Sequence, residues 1–191
     1  MVSMVWIVLA LVGAGLLVAV WLTPTAVRYT ETLVIDASAQ DLYDNTRWQA
    51  RLMDWSAWPS ETGSTCACEN TDGVVGARTV FFSKGQRFGY QEVTRLSDSR
   101  SVELALFSKG PPQKPVLRFD FVPLSASRTE VRLNFENTLA RPFNVILRLA
   151  GIVRWTRKMH LKDLQGLKRY SEPPFLSYVG RPVRPGPTQA A

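Results

Sequence analysis

The first 27 residues carry no charged side chain, and this constrains the chain more than any other feature. Residues 2–22 are apolar apart from one serine, and a helix of that length spans roughly 30 Å, the hydrocarbon thickness of a bilayer. Trp6 and Trp21 lie near its ends, where indole rings prefer the headgroup level. The sequence therefore predicts a transmembrane anchor over residues 1–24.

Two alternatives to the anchor are a cleaved signal peptide and a buried helix of a soluble protein. A signal peptide normally begins with a basic segment and has a shorter apolar region, and this sequence has neither feature. Lys and Arg are absent before the span, whereas Arg28 and Arg47 follow it. This charge bias favours a single-pass protein with its soluble domain on the cytoplasmic side.

The basic residues are concentrated near the end of the chain. Residues 28–140 hold 13 Lys and Arg against 14 Asp and Glu, whereas residues 141–170 hold eight Lys and Arg against Asp163 alone. Apolar residues recur there at steps of three and four, which predicts one long C-terminal helix over residues 142–170. Its basic face has three interpretations: a solvated surface, a surface resting on anionic lipid, or a nucleic-acid site.

The middle of the chain predicts one strand, two short helices and then six strands. Ser38, followed by Asp41, indicates a helix start, with helices over about 39–46 and 47–54. Apolar alternation and turn residues place the strands at 29–35, 65–69, 77–83, 88–96, 101–107, 116–124 and 129–139. Short connections between the last six strands predict an antiparallel meander with one buried face.

The composition argues against metal sites and most cofactor sites. One histidine and two cysteines cannot supply four soft ligands to zinc, and no Gly-rich phosphate loop is present, so we predict no cofactor. Cys66 and Cys68 are interpreted as ordinary thiols of a strand, because a two-residue loop closes a disulfide badly. Residues 171–191 contain five prolines without a period and are predicted to be a disordered tail.

The order and spacing of several motifs resemble one known superfamily. These motifs are LVIDA at 33–37, DWSAW at 54–58, GVVGAR at 73–78, GYQEVTRL at 89–96, TEV at 129–131 and DLQGLK at 163–168. Together they resemble the START-like helix-grip (SRPBCC) superfamily over residues 28–170, and within it the membrane-anchored polyketide cyclase/dehydrase-like branch. The departure is that none of the catalytic sets of that superfamily's enzymes can be matched here.

This resemblance implies an α+β helix-grip fold, in which a curved antiparallel sheet of about seven strands wraps a long C-terminal helix. It also implies an apolar cavity between the sheet and that helix. The residues expected to form the cavity wall are Trp55, Trp58, Phe82, Tyr90, Leu104, Phe119, Leu133, Phe135, Trp155 and Met159. Each of them is also an ordinary core residue if the interior is filled.

Few residues are candidates for chemistry, and each has a simpler interpretation. His160 could act as a general base, but we expect a surface histidine that pairs with Asp163 three residues on. Glu92 and Glu103 could project into a cavity, yet strand residues of this type normally face solvent. No catalytic residue is therefore predicted.

Three functions are compatible with the sequence. The preferred one is a membrane-anchored domain that binds a hydrophobic small molecule or lipid in the cavity. The second is a polyketide cyclase or dehydratase-like enzyme, which requires at least two polar groups with shifted pKa values in the cavity. The third is a basic domain with a filled core that binds a partner or a membrane surface; nucleic acid is not the expected partner.

Overall fold

A computed structural model of the chain describes residues 2–108 and 115–172. The elements in those residues are α1 (Val2–Leu22), β1 (Ala26–Ile35), α2 (Ala39–Arg47), α3 (Gln49–Trp55), α4 (Trp58–Thr62), β2 (Thr65–Glu69), β3 (Arg78–Ser83), β4 (Gln86–Ser97), β5 (Ser101–Ser108), β6 (Val116–Ser125), β7 (Arg128–Thr138), α5 (Phe143–Leu149) and α6 (Ile152–Ser171). The expected strand and helix order is thus present, with two differences in the helices that are described below.

Across the described residues the seven strands form one antiparallel sheet in the order β1-β7-β6-β5-β4-β3-β2. Helices α2 to α4 carry the chain from β1 at one edge to β2 at the other, and α6 packs across β1 and β7. Register shifts between Phe81 and Phe82, and between Val93 and Arg95, are bulges that bend their strands. This is the helix-grip architecture that the resemblance implies.

Strand β7 shows why the sheet has one buried face. Val131, Leu133 and Phe135 are buried, whereas the residues between them are exposed or half-buried. Because successive side chains of a strand point to opposite faces, this two-residue period places all three under α6. The predicted alternation in this strand is confirmed.

The start of α2 agrees with the prediction from Ser38 and Asp41. The Ser38 hydroxyl accepts a hydrogen bond of 3.1 Å from the Asp41 backbone amide and donates one of 2.7 Å to the Asp41 carboxylate. An unpaired amide in the first turn is thereby satisfied. The cap directs the chain from the β1 edge into the helices that cover the sheet.

The prediction of one uninterrupted helix over residues 142–170 is wrong. Helix α5 ends at Leu149, and α6 begins at Ile152 after Gly151, whose φ of 72° lies in the left-handed region. The apolar period of three to four residues continues through this break, so periodicity alone did not reveal it. A third short helix, α4, follows the two that the sequence predicts, and Pro59 lies in its first turn, where proline is tolerated.

The interior is filled beneath the second half of α6 but not beneath its first half. Leu164 and Leu167 in its second half are buried in the main apolar cluster, together with Leu42 of α2 and Phe121 of β6. Gly166 lets this half approach α3 closely, because a Cβ there would lie 2.1 Å from the Trp55 carbonyl oxygen. The first half of α6, in contrast, crosses a cavity.

Helix α1 is long and apolar enough to cross a membrane, and its window from Met4 to Leu22 has no buried residue. Only three residues separate it from β1. At the other end of the chain, α6 extends to Ser171, and the carboxylate of its C-cap residue, Glu172, accepts a hydrogen bond from the Asp36 amide. The rest of the predicted disordered tail, residues 173–191, lies outside the described residues.

Candidate functional site

A cavity of about 280 Å³ lies between the sheet and helices α5 and α6. Phe88 of β4 and Ile152 of α6 line it and are both exposed, so they lie at its rim. Most of its wall is apolar, which is typical of small-molecule sites. The third functional hypothesis included a filled core, and the cavity contradicts that part of it.

The structure brings six of the ten expected wall residues to this cavity: Trp55, Trp58, Tyr90, Leu104, Phe119 and Phe135. The other four, Phe82, Leu133, Trp155 and Met159, do not line it. Leu133 and Met159 are buried, and Trp155 is exposed and contacts Trp58 edge-on. Phe82 lies next to Phe81, which lines the cavity, but a bulge separates the two residues and Phe82 is not part of the wall.

The two tryptophans of the DWSAW motif have different roles in the wall. The Trp55 indole is buried, meets Phe119 edge-on, and donates a hydrogen bond of 3.0 Å to the Asn45 carbonyl. The Trp58 indole meets Trp155 edge-on and donates from Nε1 to the Asp163 carboxylate at 3.0 Å. Trp55 therefore belongs to the packed core beside the cavity, whereas Trp58 connects the wall to a buried acid.

Three polar residues, Ser56, His160 and Asp163, line the cavity together and are called the polar corner below. Asp163 Oδ1 accepts hydrogen bonds from the Ala57 amide at 2.8 Å and from the Ser56 hydroxyl at 3.1 Å. Burial raises the pKa of Asp163 to about 7, although its hydrogen bonds from Ala57, Ser56 and Trp58 act in the opposite direction. This carboxyl can therefore change protonation state near neutral pH.

His160 is the other titratable member of the polar corner. Its Nδ1 lies 2.8 Å from the hydroxyl of Tyr29 on β1, and its Nε2 is buried without a hydrogen-bond partner among the described residues. Burial lowers the pKa of His160 to about 4, so the imidazole is neutral at physiological pH. Burial also raises the pKa of Tyr29, which keeps its phenol protonated.

This arrangement corrects the expectation for His160. The sequence predicts a surface histidine that pairs with Asp163, whereas His160 is completely buried and its partner is Tyr29. The reason is rotation along α6: His160, Asp163, Leu164 and Leu167 share the face that turns to the sheet. The helical period of these residues is the signal that could have predicted a buried His160, but the basic residues around it favoured a surface position.

The remaining candidates lie away from the cavity. Glu92 forms an ion pair of 2.6 Å with Arg78, and Glu103 bonds to the Thr94 hydroxyl; neither lines the cavity. Cys66 and Cys68 are free thiols, and burial raises the pKa of both, which disfavours the reactive thiolate. Among the described residues no group of three His, Cys, Asp or Glu could hold a metal ion.

The fold and the cavity together define a helix-grip fold with a mostly apolar pocket, and the polar corner is part of the wall of that pocket. Solved structures agree on the fold. A truncated norcoclaurine synthase from Thalictrum flavum aligns with a TM-score of 0.59 at 13% identity, over 78% of this chain and 94% of that one. A protein from Nitrosospira multiformis aligns with a TM-score of 0.58 at 16% identity, over 76% and 97%.

The norcoclaurine synthase has also been solved with dopamine and hydroxybenzaldehyde, and that structure aligns with a TM-score of 0.56 at 13% identity, over 82% of this chain and 94% of that one. No protein-family model matches this chain, and no curated protein matches it. At these identities the comparisons establish the helix-grip fold and leave the function to be argued from the site.

Proposed function

We propose that this protein is a membrane-anchored domain that binds a hydrophobic small molecule or lipid in the cavity between the sheet and α6. The observation that carries the proposal is the cavity itself, because an aromatic and aliphatic wall remains unfilled beside a well-packed core. Side chains that border an apolar cavity lack packing contacts on that side, and an apolar ligand provides them. The related fold that holds two aromatic molecules supports this use of the pocket.

The polar corner indicates which ligands fit. A phenol is a stronger acid than an imidazole N–H, so we expect the Tyr29 hydroxyl to donate to Nδ1 of His160. The proton of the neutral ring is then on Nε2, which is buried and has no partner among the described residues, and His160 is one of the residues that line the cavity. A buried donor without an acceptor is costly, so the preferred ligand has one carbonyl or ether oxygen on an apolar body.

The size of the cavity limits the ligand further. About 280 Å³ lies just below the usual range of roughly 300–1,000 Å³ for small-molecule pockets. We therefore propose a compact aromatic or short-chain molecule rather than a whole phospholipid. Trp58 and Phe135 are among the aromatic residues that line the cavity and could contact such a ligand, whereas the ring of Tyr90 is already stacked on Phe107.

The membrane anchor is the second part of the proposal, and α1 supports it by length and composition. We place the soluble domain on the cytoplasmic side, on the charge bias around the span. Full-length protein from membranes should resist extraction by alkaline carbonate, and its intact mass should include residues 1–24. Release into the supernatant, or a mass that lacks this segment, would contradict the anchor.

Binding is tested with the full-length protein and a cavity-filling variant. Leu106 of β5 lines the cavity and is only partly buried, so Leu106→Trp places an indole in the empty space. Solvent extraction and mass spectrometry should find an apolar molecule with the wild type that is depleted from this variant. Leu124→Trp, on the exposed end of β6, is the matched control for added indole. Equal extracts from all three proteins would contradict the proposal.

A catalytic role is the second candidate, because two polar groups with shifted pKa values do meet in the cavity. In such an enzyme, resembling a polyketide cyclase or dehydratase, neutral His160 and Asp163 would exchange protons with a substrate. The extracted molecules can be incubated with the wild type, His160→Gln and Asp163→Asn. A mass change that occurs with the wild type and stops in both variants would favour catalysis over binding alone.

A further inference from the structure

The cavity lies at the end of the sheet where α1 enters the domain. Strands β1, β4 and β6 begin at this end, and β3, β5 and β7 finish there, as the pairs Ala26–Thr138 and Gly89–Ser108 show. Val27, the second residue of β1, lines the cavity. The pocket is therefore close to the residues that leave the apolar helix.

Helix α5 is attached to the end of α1 by hydrogen bonds. Asn144 is completely buried, and its Nδ2 donates to the carbonyls of Val20 at 3.1 Å and Thr23 at 2.8 Å. Arg148 donates to the carbonyls of Pro24 and Ala26, at 3.3 and 2.8 Å. These contacts satisfy carbonyls at and just beyond the last turn of α1 and hold α5 beside it.

Five large apolar side chains are exposed along α5 and the start of α6. They recur at every third residue, and these residues, called the apolar stripe below, are Phe143, Ile146, Leu149, Ile152 and Trp155. Leu149 is 84% exposed and Ile146 is 53% exposed. A set of exposed apolar residues of this size marks an interaction surface, and its position beside α1 indicates what that surface contacts.

We propose that the apolar stripe lies in the interface of the bilayer that α1 spans, so that the cavity exchanges its ligand directly with that bilayer. Arg154 and Lys158 are exposed on the next turns of α6, where cations favour anionic headgroups. A helix with an apolar face and basic neighbours typically lies in the plane of the interface. A bilayer is the one partner already held at this surface by the chain itself.

Ile152 connects the stripe to the cavity. It is exposed on the stripe and also lines the pocket, so the rim between α6 and β4 borders the surface that meets lipid. A molecule dissolved in the bilayer then enters without crossing water, which is the slow step for apolar solutes. This route rests on the proposed binding function and names the bilayer as the source of the ligand.

Docking is tested with the full-length protein in vesicles of phosphatidylcholine and phosphatidylglycerol. An environment-sensitive fluorophore is attached at Leu149→Cys in a Cys66→Ser, Cys68→Ser background, and a phosphatidylcholine spin-labelled high on its acyl chain is the quencher. The control is Leu124→Cys, which replaces a residue that is 54% exposed. Leu124 lies near the end of β6, about 25 Å along the strand from its first residue, Val116, at the cavity end of the sheet. We expect several-fold stronger quenching at position 149. Equal quenching at the two positions would overturn the proposal.

Exchange is tested with a diazirine-bearing naphthol dissolved in the same vesicles. Crosslinks to cavity peptides should form in the wild type, and roughly tenfold more slowly in an Ile146→Asp, Leu149→Asp variant, because charge weakens interfacial binding. A Val75→Asp, Leu124→Asp variant carries the same charge on other exposed apolar residues and should match the wild type.

The outcomes separate this inference from the proposed function. Equal crosslinking rates in all three proteins would overturn the route through the stripe while leaving ligand binding intact. Crosslinks absent from the cavity in every protein, with the fluorophore at position 149 quenched, would overturn ligand binding and leave membrane docking in place.

Discussion

The Tyr29 hydroxyl and Nδ1 of His160 lie 2.8 Å apart, although 131 positions separate the two residues in the chain. This contact joins the first strand to the last helix beside the cavity. It orients the ring and leaves Nε2 as the ring nitrogen without a hydrogen-bond partner among the described residues. Most of the predictions below concern this contact and the buried acid one turn along the helix.

The first prediction concerns the protonation of His160. Protein labelled with ¹⁵N-histidine gives signals from a single imidazole, because the chain has one histidine. We expect a neutral ring protonated on Nε2 at pH 7, and a pKa of about 4 caused by burial. Titration near pH 6.5 would contradict the burial of this side chain.

The second prediction concerns the contribution of the Tyr29–His160 hydrogen bond to stability. Tyr29→Phe leaves a buried imidazole nitrogen without its partner, so we expect a loss of about 1–3 kcal/mol in the free energy of unfolding. The same substitution should mix the two tautomers in the ¹⁵N spectrum. In a His160→Phe background it should cost less, and a double-mutant cycle measures the difference. Additive losses would show that the two side chains do not interact.

The third prediction is that Asp163 and His160 make opposite contributions to stability as the pH changes. Folding raises the pKa of Asp163 to about 7, so the folded state keeps a proton that the unfolded chain loses, and stability falls between about pH 4 and 7. Folding lowers the pKa of His160 to about 4, so the unfolded chain binds the extra proton. Its contribution to stability therefore rises between about pH 4 and 6.5.

Denaturant unfolding of two variants across this pH range separates these contributions. Relative to the wild type, Asp163→Asn should gain up to about 4 kcal/mol between pH 4 and 7. His160→Gln should instead lose up to about 3 kcal/mol relative to the wild type between pH 4 and 6.5. Parallel stability curves for all three proteins would rule out both shifts.

The fourth prediction concerns the approach of α6 to α3 at Gly166. Alanine is the better helix former, yet its Cβ would lie 2.1 Å from the Trp55 carbonyl oxygen. We expect Gly166→Ala to lower the free energy of unfolding by roughly 1–3 kcal/mol, because the two backbones must separate. Gln165→Ala, at the exposed neighbouring position, should change it by less than about 0.5 kcal/mol.

The fifth prediction concerns the link between α1 and α5. Asn144→Leu removes both hydrogen bonds from this side chain to the end of α1 and leaves two carbonyls to find other partners. We expect faster proteolysis of the segment between α1 and β1 in vesicles, and weaker lipid quenching of the fluorophore at position 149. Asn134→Leu, on the outer face of the sheet, is the control and should leave both readouts unchanged. A wild-type quenching level in the Asn144→Leu variant would show that the stripe docks without this link.

Much of this fold follows from local patterns along the chain. The apolar run before Thr23 is uninterrupted by charge, and alternation in β7 separates Val131, Leu133 and Phe135 from their polar neighbours. Turn residues between the strands fix a meander, because short connections leave antiparallel pairing as the simplest arrangement. These signals involve residues a few positions apart, so they can be recognised in the sequence alone.

Tertiary structure alone decided the site. Whether Phe119 and Phe135 fill the interior or border a cavity depends on how α6 packs over the sheet, and that packing involves residues far apart in the chain. The same holds for His160, which local charge placed at the surface and which packing buried against Tyr29. Volume and hydrogen-bond satisfaction are properties of residues brought together from opposite ends of the chain. No local sequence pattern indicates the volume of the cavity or the hydrogen-bond partners of its residues.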